Sequence, residues 1–239
     1  MNLRGFFPVV LLLLGSLVAP AGAADQLVTS AKTAGGETIP YMLTSKQGTP
    51  AYAVILMPGG KGILAPRMDG NRLVFSAGGN FLIRSRELFA DGRFVAASTD
   101  ATSSPDRIMA VARDLHARYG AIQIYVAGTS RSTEATMSLA KSLDGQVAGF
   151  VHTSSMNAIS GFDPRGAKSR NLIVLHTKDV CRVTNPFHSM ASHRQYGTEL
   201  IEMSGGQSTG AECEAFSHHG YNGIEAETVD RIKTWIAQR

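Results

Sequence analysis

The feature that most constrains this chain is a series of short, nearly continuous apolar runs set between longer stretches with helical spacing. Residues 51–57 (AYAVILM), 94–98 (FVAAS), 122–127 (IQIYVA), 147–152 (VAGFVH) and 172–176 (LIVLH) show little polar alternation. A strand with one wet face alternates, whereas a strand covered on both faces reads apolar throughout, as parallel sheets do. Segments 84–90, 105–119 and 130–143 lie between these runs and carry helical spacing, as do 186–196 and 225–237 further on. Pro105 suits the first turn of a helix, with Ser103 or Ser104 as its cap. This alternation predicts an α/β fold: a doubly wound, mostly parallel sheet with helices on both faces. Residues 26–33 and 38–44, split by Gly35-Gly36, predict an antiparallel hairpin at its edge. No repeat, low-complexity tract or linker divides the sequence, so one domain is expected.

The N-terminus reads MNLRGFFPVVLLLLGSLVAPAGAAD. Arg4, an apolar stretch from Phe6 to Val18 and the small residues Ala21-Gly22-Ala23 form the three parts of a secretory signal peptide. Residues 1–24 are therefore read as a signal peptide, cleaved after Ala23 or Ala24. The apolar stretch falls short of the roughly 20 residues a membrane span needs, and Pro8 and Pro20 bracket it. No later stretch is longer, so no stable membrane insertion is expected after cleavage. The expected location is outside the cytoplasm, periplasmic or extracellular.

An exported chain meets oxidising conditions, and its two cysteines, Cys181 and Cys213, are expected to form one disulfide. They are too few for a cysteine-only zinc site, and no histidine stands at ligand spacing from them, so no metal is expected. The formal net charge of +4 comes from scattered basic residues without aromatic interleaving. That argues against a nucleic-acid partner.

The chemistry starts at Gly128-Thr129-Ser130-Arg131-Ser132, between an apolar run and a helical segment. A G-x-S-x-G elbow needs this strand-to-helix context, because the sharp turn lifts the serine above the carboxyl edge of the sheet. Ser132 stands where the second glycine is usual. A serine that caps a helix after a strand is also common, so a nucleophile needs support from elsewhere in the chain. A hydroxyl requires a base, and Ser217-His218-His219-Gly220 precedes the last helical segment. His219, followed by glycine, is preferred as the base, with His218 as the alternative. Asp179, which follows LIVLH after Thr177-Lys178, is the orienting acid, and Asp100 at the end of FVAASTD is the alternative. An oxyanion site needs two converging backbone N–H groups. Arg131 supplies one from the elbow, and Gly60, or else Lys61, the other from Pro58-Gly59-Gly60-Lys61-Gly62. Ile63 follows Gly62 and the spacing is wrong for a P-loop, so GGKG is not read as a phosphate cradle.

Together PGGKG, GTSRS, HTKDVCRVTNP and SHHGYNGIE resemble the α/β-hydrolase superfamily, especially its small secreted bacterial members. The likeness runs over nearly all of residues 25–239, read as one hydrolase-like domain. It implies Ser130 as nucleophile, His219 as base and Asp179 as acid, in the chain order the superfamily uses. It also implies no metal or organic cofactor, and a small-molecule acyl substrate cleaved at an ester or related bond. Pro58 departs from the histidine that lipase-type members often carry there. The reaction expected is that of a serine hydrolase, foremost a carboxylesterase, with peptidase, thioesterase and lactonase chemistry as variants on the same fold. The alternative from another class is a non-catalytic exported binding protein on a hydrolase scaffold.

Overall fold

A computed structural model describes residues 24–238; the signal-peptide segment lies almost wholly outside them. Eight strands form the main sheet, joined by α-helices on both faces. The strands are β1 (Asp25–Lys32), β2 (Thr38–Ser45), β3 (Tyr52–Met57), β6 (Phe94–Ser98), β7 (Gln123–Thr129), β8 (Gly149–Thr153), β9 (Arg170–His176) and β10 (Glu199–Met203). Their order across the sheet is β1-β2-β6-β3-β7-β8-β9-β10. From β6 to β10 all pairings are parallel, while β2 runs antiparallel to β6 and β1 antiparallel to β2. The predicted edge hairpin and the predicted sheet are both present.

β3 shows why the central runs carry no alternation. Ala53, Ile55 and Met57 enter one core with α3 (Pro105–Tyr119) and α4 (Ser132–Ser142). Tyr52, Val54 and Leu56 enter the other, with α1 (Phe81–Arg84), α2 (Arg86–Phe89) and α6 (Glu225–Ala237). Every residue of the strand is buried, and each large apolar side chain contributes roughly 1.5–3 kcal/mol on leaving water.

Four features depart from the sequence expectation. The helix expected over 84–90 is instead the end of one single turn, α1, and a second, α2, meeting at Ser85, so helical structure begins at Phe81. The helix expected from residue 130 starts at Ser132, because Ser130 has φ of +53°, outside any right-handed helix. β10 was not expected at all: ELIEM alternates, with Glu199 and Glu202 exposed on a strand at the sheet's edge. Arg67–Asp69 (β4) and Arg72–Val74 (β5), between β3 and α1, also form a small separate hairpin that the sequence did not predict. α5 (Pro186–Tyr196) matches its expected bounds.

One buried histidine belongs to this framework. His152 on β8 is fully buried, 4.9 Å from the Phe162 ring, with Nε2 3.4 Å from Asn171 Oδ1 and no partner for Nδ1. Burial pushes its pKa down to about 4, and the Asn171 contact only partly opposes this. The unfolded chain binds the proton more readily, near the ordinary value of about 6.5. The neutral ring's contribution is therefore intact above about pH 6.5 and is lost as pH falls towards 4. The full loss amounts to about 3 kcal/mol. Urea unfolding of the wild type and His152→Gln at pH 7 and pH 4.5 checks this. The variant should lose less stability on acidification, and parallel losses would reject the assignment.

Candidate active site

The elbow at the end of β7 is built by small residues. A Cβ on Gly128 would lie 2.1 Å from Thr136 Oγ1 and 2.8 Å from the Ser132 carbonyl oxygen, so glycine alone fits. Ser132 is buried at the position where a second glycine is usual, and its side chain is used. Ser132 Oγ accepts from the Thr129 N–H at 2.8 Å and has the Met57 and Thr129 carbonyl oxygens, each at 3.0 Å, as acceptors for its proton. It ties the elbow to β3 and leaves the turn free of steric conflict. Ser130 itself sits in the left-handed region, costly for a non-glycine residue. Its N–H donates to the Thr153 carbonyl at 3.0 Å, and its carbonyl accepts from the Thr133 hydroxyl at 2.6 Å.

The loop after β3 approaches this turn closely. A Cβ on Gly59 would lie 2.7 Å from the Thr129 carbonyl oxygen and 3.0 Å from Ser130 Cβ. Gly60 follows with φ of +62°, and the Gly62 N–H closes the turn onto the Gly59 carbonyl at 3.1 Å. The N–H groups of Gly60, Lys61 and Arg131 are absent from the backbone bonds that close these turns.

His219 lies on a short 3₁₀ turn, His218–Gly220, capped by Ser217, whose Oγ accepts the His219 N–H at 3.2 Å. A Cβ on Gly220 would meet the Ala215 carbonyl oxygen at 1.9 Å, so glycine is required beside the histidine. Ser154 Oγ donates to the His219 carbonyl at 2.6 Å, and the Ser154 N–H donates to Tyr221 Oη at 2.9 Å. Tyr221 Oη donates in turn to the Val174 carbonyl at 2.8 Å, and burial pushes that phenol's pKa up. The turn is thereby fastened to β8 and β9.

The imidazole meets Asp179, which is buried in the turn after β9. His219 Nδ1 is 3.0 Å from Asp179 Oδ2. Asp179 Oδ1 accepts the Cys181 N–H at 2.9 Å, and Oδ2 accepts the Thr184 hydroxyl at 3.1 Å. Thr184 Oγ1 also lies 3.0 Å from His219 Nδ1. Ser130 and His219 both line a cavity of about 660 Å³, together with Gly59, Gly60, Lys61 and Asn80. The ring bonds of His219 are those of Nδ1, leaving Nε2 uncommitted among the described residues.

The two alternatives go elsewhere. His218 does not line the cavity; its ring stacks on His176 at 4.6 Å and 17°. His176 is fixed in turn, accepting the Lys178 N–H at Nδ1 and placing Nε2 3.0 Å from the Gly205 carbonyl, while burial lowers its pKa. Asp100 Oδ1 accepts the Leu64 and Ala65 N–H groups at 2.7 and 2.9 Å, so it braces the loop after β3 rather than meeting either histidine.

Cys181 and Cys213 are joined in a disulfide, as the sequence implied, with Cα atoms 4.8 Å apart. Donor atoms of Asp179, Cys181 and His219 lie within 4.8 Å of one another, a grouping of metal-ligating types. The sulfur is bonded to Cys213 and is therefore no thiolate donor, so the three do not fit a metal site.

Sequence reasoning missed Thr184, Ser154 and Arg84. Arg84 donates to the Gly79 and Gly220 carbonyls, each at 2.6 Å, and pairs with Glu225 at 2.9 Å. It joins the cavity wall, the histidine turn and the last helix. Thr184 lies within HTKDVCRVTNP, but nothing local sets its hydroxyl apart, and Ser154 and Arg84 lie in no motif; only the chain's return through space brings the three to the site.

No protein-family model matches this chain, and no curated protein matches it. Solved structures do. An α/β serine hydrolase without a lid from Xanthomonas campestris is 10% identical, with a TM-score of 0.56 over 92% of this chain and 100% of that one. A cold-adapted esterase from an Arctic intertidal metagenomic library is 13% identical, with a TM-score of 0.60 over 93% and 99%. Dienelactone hydrolase from Anabaena variabilis is 10% identical, with a TM-score of 0.61 over 90% and 97%. The chain has the α/β-hydrolase fold.

Proposed function

We propose that this chain of α/β-hydrolase fold is an exported serine hydrolase that cleaves esters of small or medium acyl groups. The observation that carries the reading is the buried Asp179–His219 pair, whose His219 lines one cavity with Ser130. The carboxylate holds the proton of His219 on Nδ1, which leaves Nε2 as the acceptor of a proton from Ser130. Ser130 Oγ then attacks the acyl carbon, and the N–H groups of Arg131 and Gly60, or Lys61, stabilise the oxyanion that forms. Protonated His219 gives its proton to the departing alcohol. Water, deprotonated by the same ring, hydrolyses the acyl-enzyme and restores Ser130.

Export is part of the proposal. The signal-like N-terminus and the Cys181–Cys213 disulfide support it, and no helix among the described residues is long and apolar enough to cross a membrane. A panel of p-nitrophenyl esters of graded chain length tests the activity. Turnover that peaks at short or medium chains supports the reading, and no turnover of any ester above the uncatalysed rate rejects it.

The disulfide bears on catalysis as well as stability. It joins the turn carrying Asp179 to the segment carrying His219, across 32 residues of sequence. The chain-entropy model assigns such a loop about 3.7 kcal/mol. Displacing a catalytic group by about 1 Å can cost about a hundredfold in rate. A Cys181→Ser, Cys213→Ser double variant should therefore lose kcat at temperatures where it is still folded. Unchanged kcat with a lowered Tm would confine the bridge to stability.

A further inference from the structure

We infer that Thr184 is a positioning residue of the proposed reaction, holding His219 in its productive tautomer and sharing the charge that forms on it. The inference rests on the serine-hydrolase reading. Thr184 is buried, and its N–H donates to the Cys181 carbonyl at 3.0 Å, which fixes it in the turn that carries Asp179. Its hydroxyl lies between the two ionisable groups, 3.1 Å from Asp179 Oδ2 and 3.0 Å from His219 Nδ1.

Counting protons defines what it does. For Nε2 to accept a proton from Ser130, Nδ1 must carry the ring's own proton. The carboxylate carries none, so the single hydroxyl proton of Thr184 goes to Asp179 Oδ2. The oxygen's lone pair then faces the Nδ1–H, which Asp179 Oδ2 and Thr184 Oγ1 share. In the other tautomer, the Nδ1 lone pair would face a carboxylate oxygen 3.0 Å away, and the Thr184 hydroxyl could serve it only by giving up its bond to Asp179 Oδ2. When His219 takes the serine proton, the Nδ1–H becomes that of an imidazolium and has two acceptors in place. Bonds of this charge-assisted kind are the stronger ones.

Thr184→Val keeps the shape and removes the hydroxyl, and Thr184→Ser keeps the hydroxyl. The valine variant is expected to lose about tenfold in kcat, with KM within about twofold. The serine variant is expected to recover most of that loss. The downfield proton resonance of the His219 Nδ1–H should shift in the valine variant and stay near its wild-type position in the serine variant. Wild-type kcat in Thr184→Val would overturn the inference, as would equal losses in both variants, which would signify packing alone. If Thr184→Val does not fold, Thr184→Ala against Thr184→Ser gives the same comparison. Labelling of wild-type Ser130 by a fluorophosphonate separates the two levels. A wild type that is not labelled rejects the serine-hydrolase reading and this inference with it. A labelled wild type with an unaffected Thr184→Val rejects the inference alone.

Discussion

Ser130→Ala is expected to lower ester turnover by at least three orders of magnitude while the protein unfolds at nearly the wild-type temperature. The rate loss follows from the proposed role, since removing the nucleophile of a serine hydrolase leaves only the weak residual contribution of oxyanion and binding groups. The retained fold follows from what holds the elbow. Its contacts are made by the Ser130 N–H and carbonyl, by the Ser132 hydroxyl and by the space at Gly128. The Ser130 side chain takes no part in them, and alanine removes one oxygen without changing the backbone's demands. Paired measurements of kcat and Tm check both halves. Loss of activity accompanied by a large fall in Tm would mean that Ser130 acts through the fold.

His219→Ala should be nearly as damaging, and His218→Ala should not. With His219 removed, Ser130 has no base and the leaving alcohol no acid, a loss again expected to exceed about a thousandfold. His218 stacks on His176 outside the cavity, so its removal should cost stability through a lost ring contact and leave most of kcat. Measuring kcat and Tm of the two alanine variants side by side checks this. A dead His218→Ala beside an active His219→Ala would reassign the base.

The parts legible in the sequence are those with a local cause. Strands covered on both faces announce themselves by unbroken apolar runs, and the five central strands of this kind stand near their expected positions. β10 was hidden because it is an edge strand whose two glutamates face water, so its five residues read as surface. The hairpin of β4 and β5 was hidden because its strands are three residues each, too short for alternation to show, and β4 is exposed throughout. The turn at Ser130 was legible as small residues between strand and helix, ambiguous alone and given meaning by Asp179 and His219 following in order. Its departure, Ser132, is explained only in three dimensions, by the carbonyls its hydroxyl reaches. The choice between His218 and His219 was open because spacing carries no direction; a 3₁₀ turn sends one ring to Asp179 and the other to His176. Thr184 stands inside HTKDVCRVTNP, yet nothing in the motif singled it out, since its hydroxyl meets a ring 35 residues away along the chain.

The central claim is that Ser130 is an activated nucleophile served by His219. The most direct test treats the folded protein with a fluorophosphonate probe and locates the adduct by mass spectrometry of its peptides. The account predicts one adduct, on Ser130, formed rapidly in the wild type and far more slowly in His219→Ala. An unmodified Ser130 in active, folded protein, or an adduct on another residue that tracks the loss of activity, would contradict it.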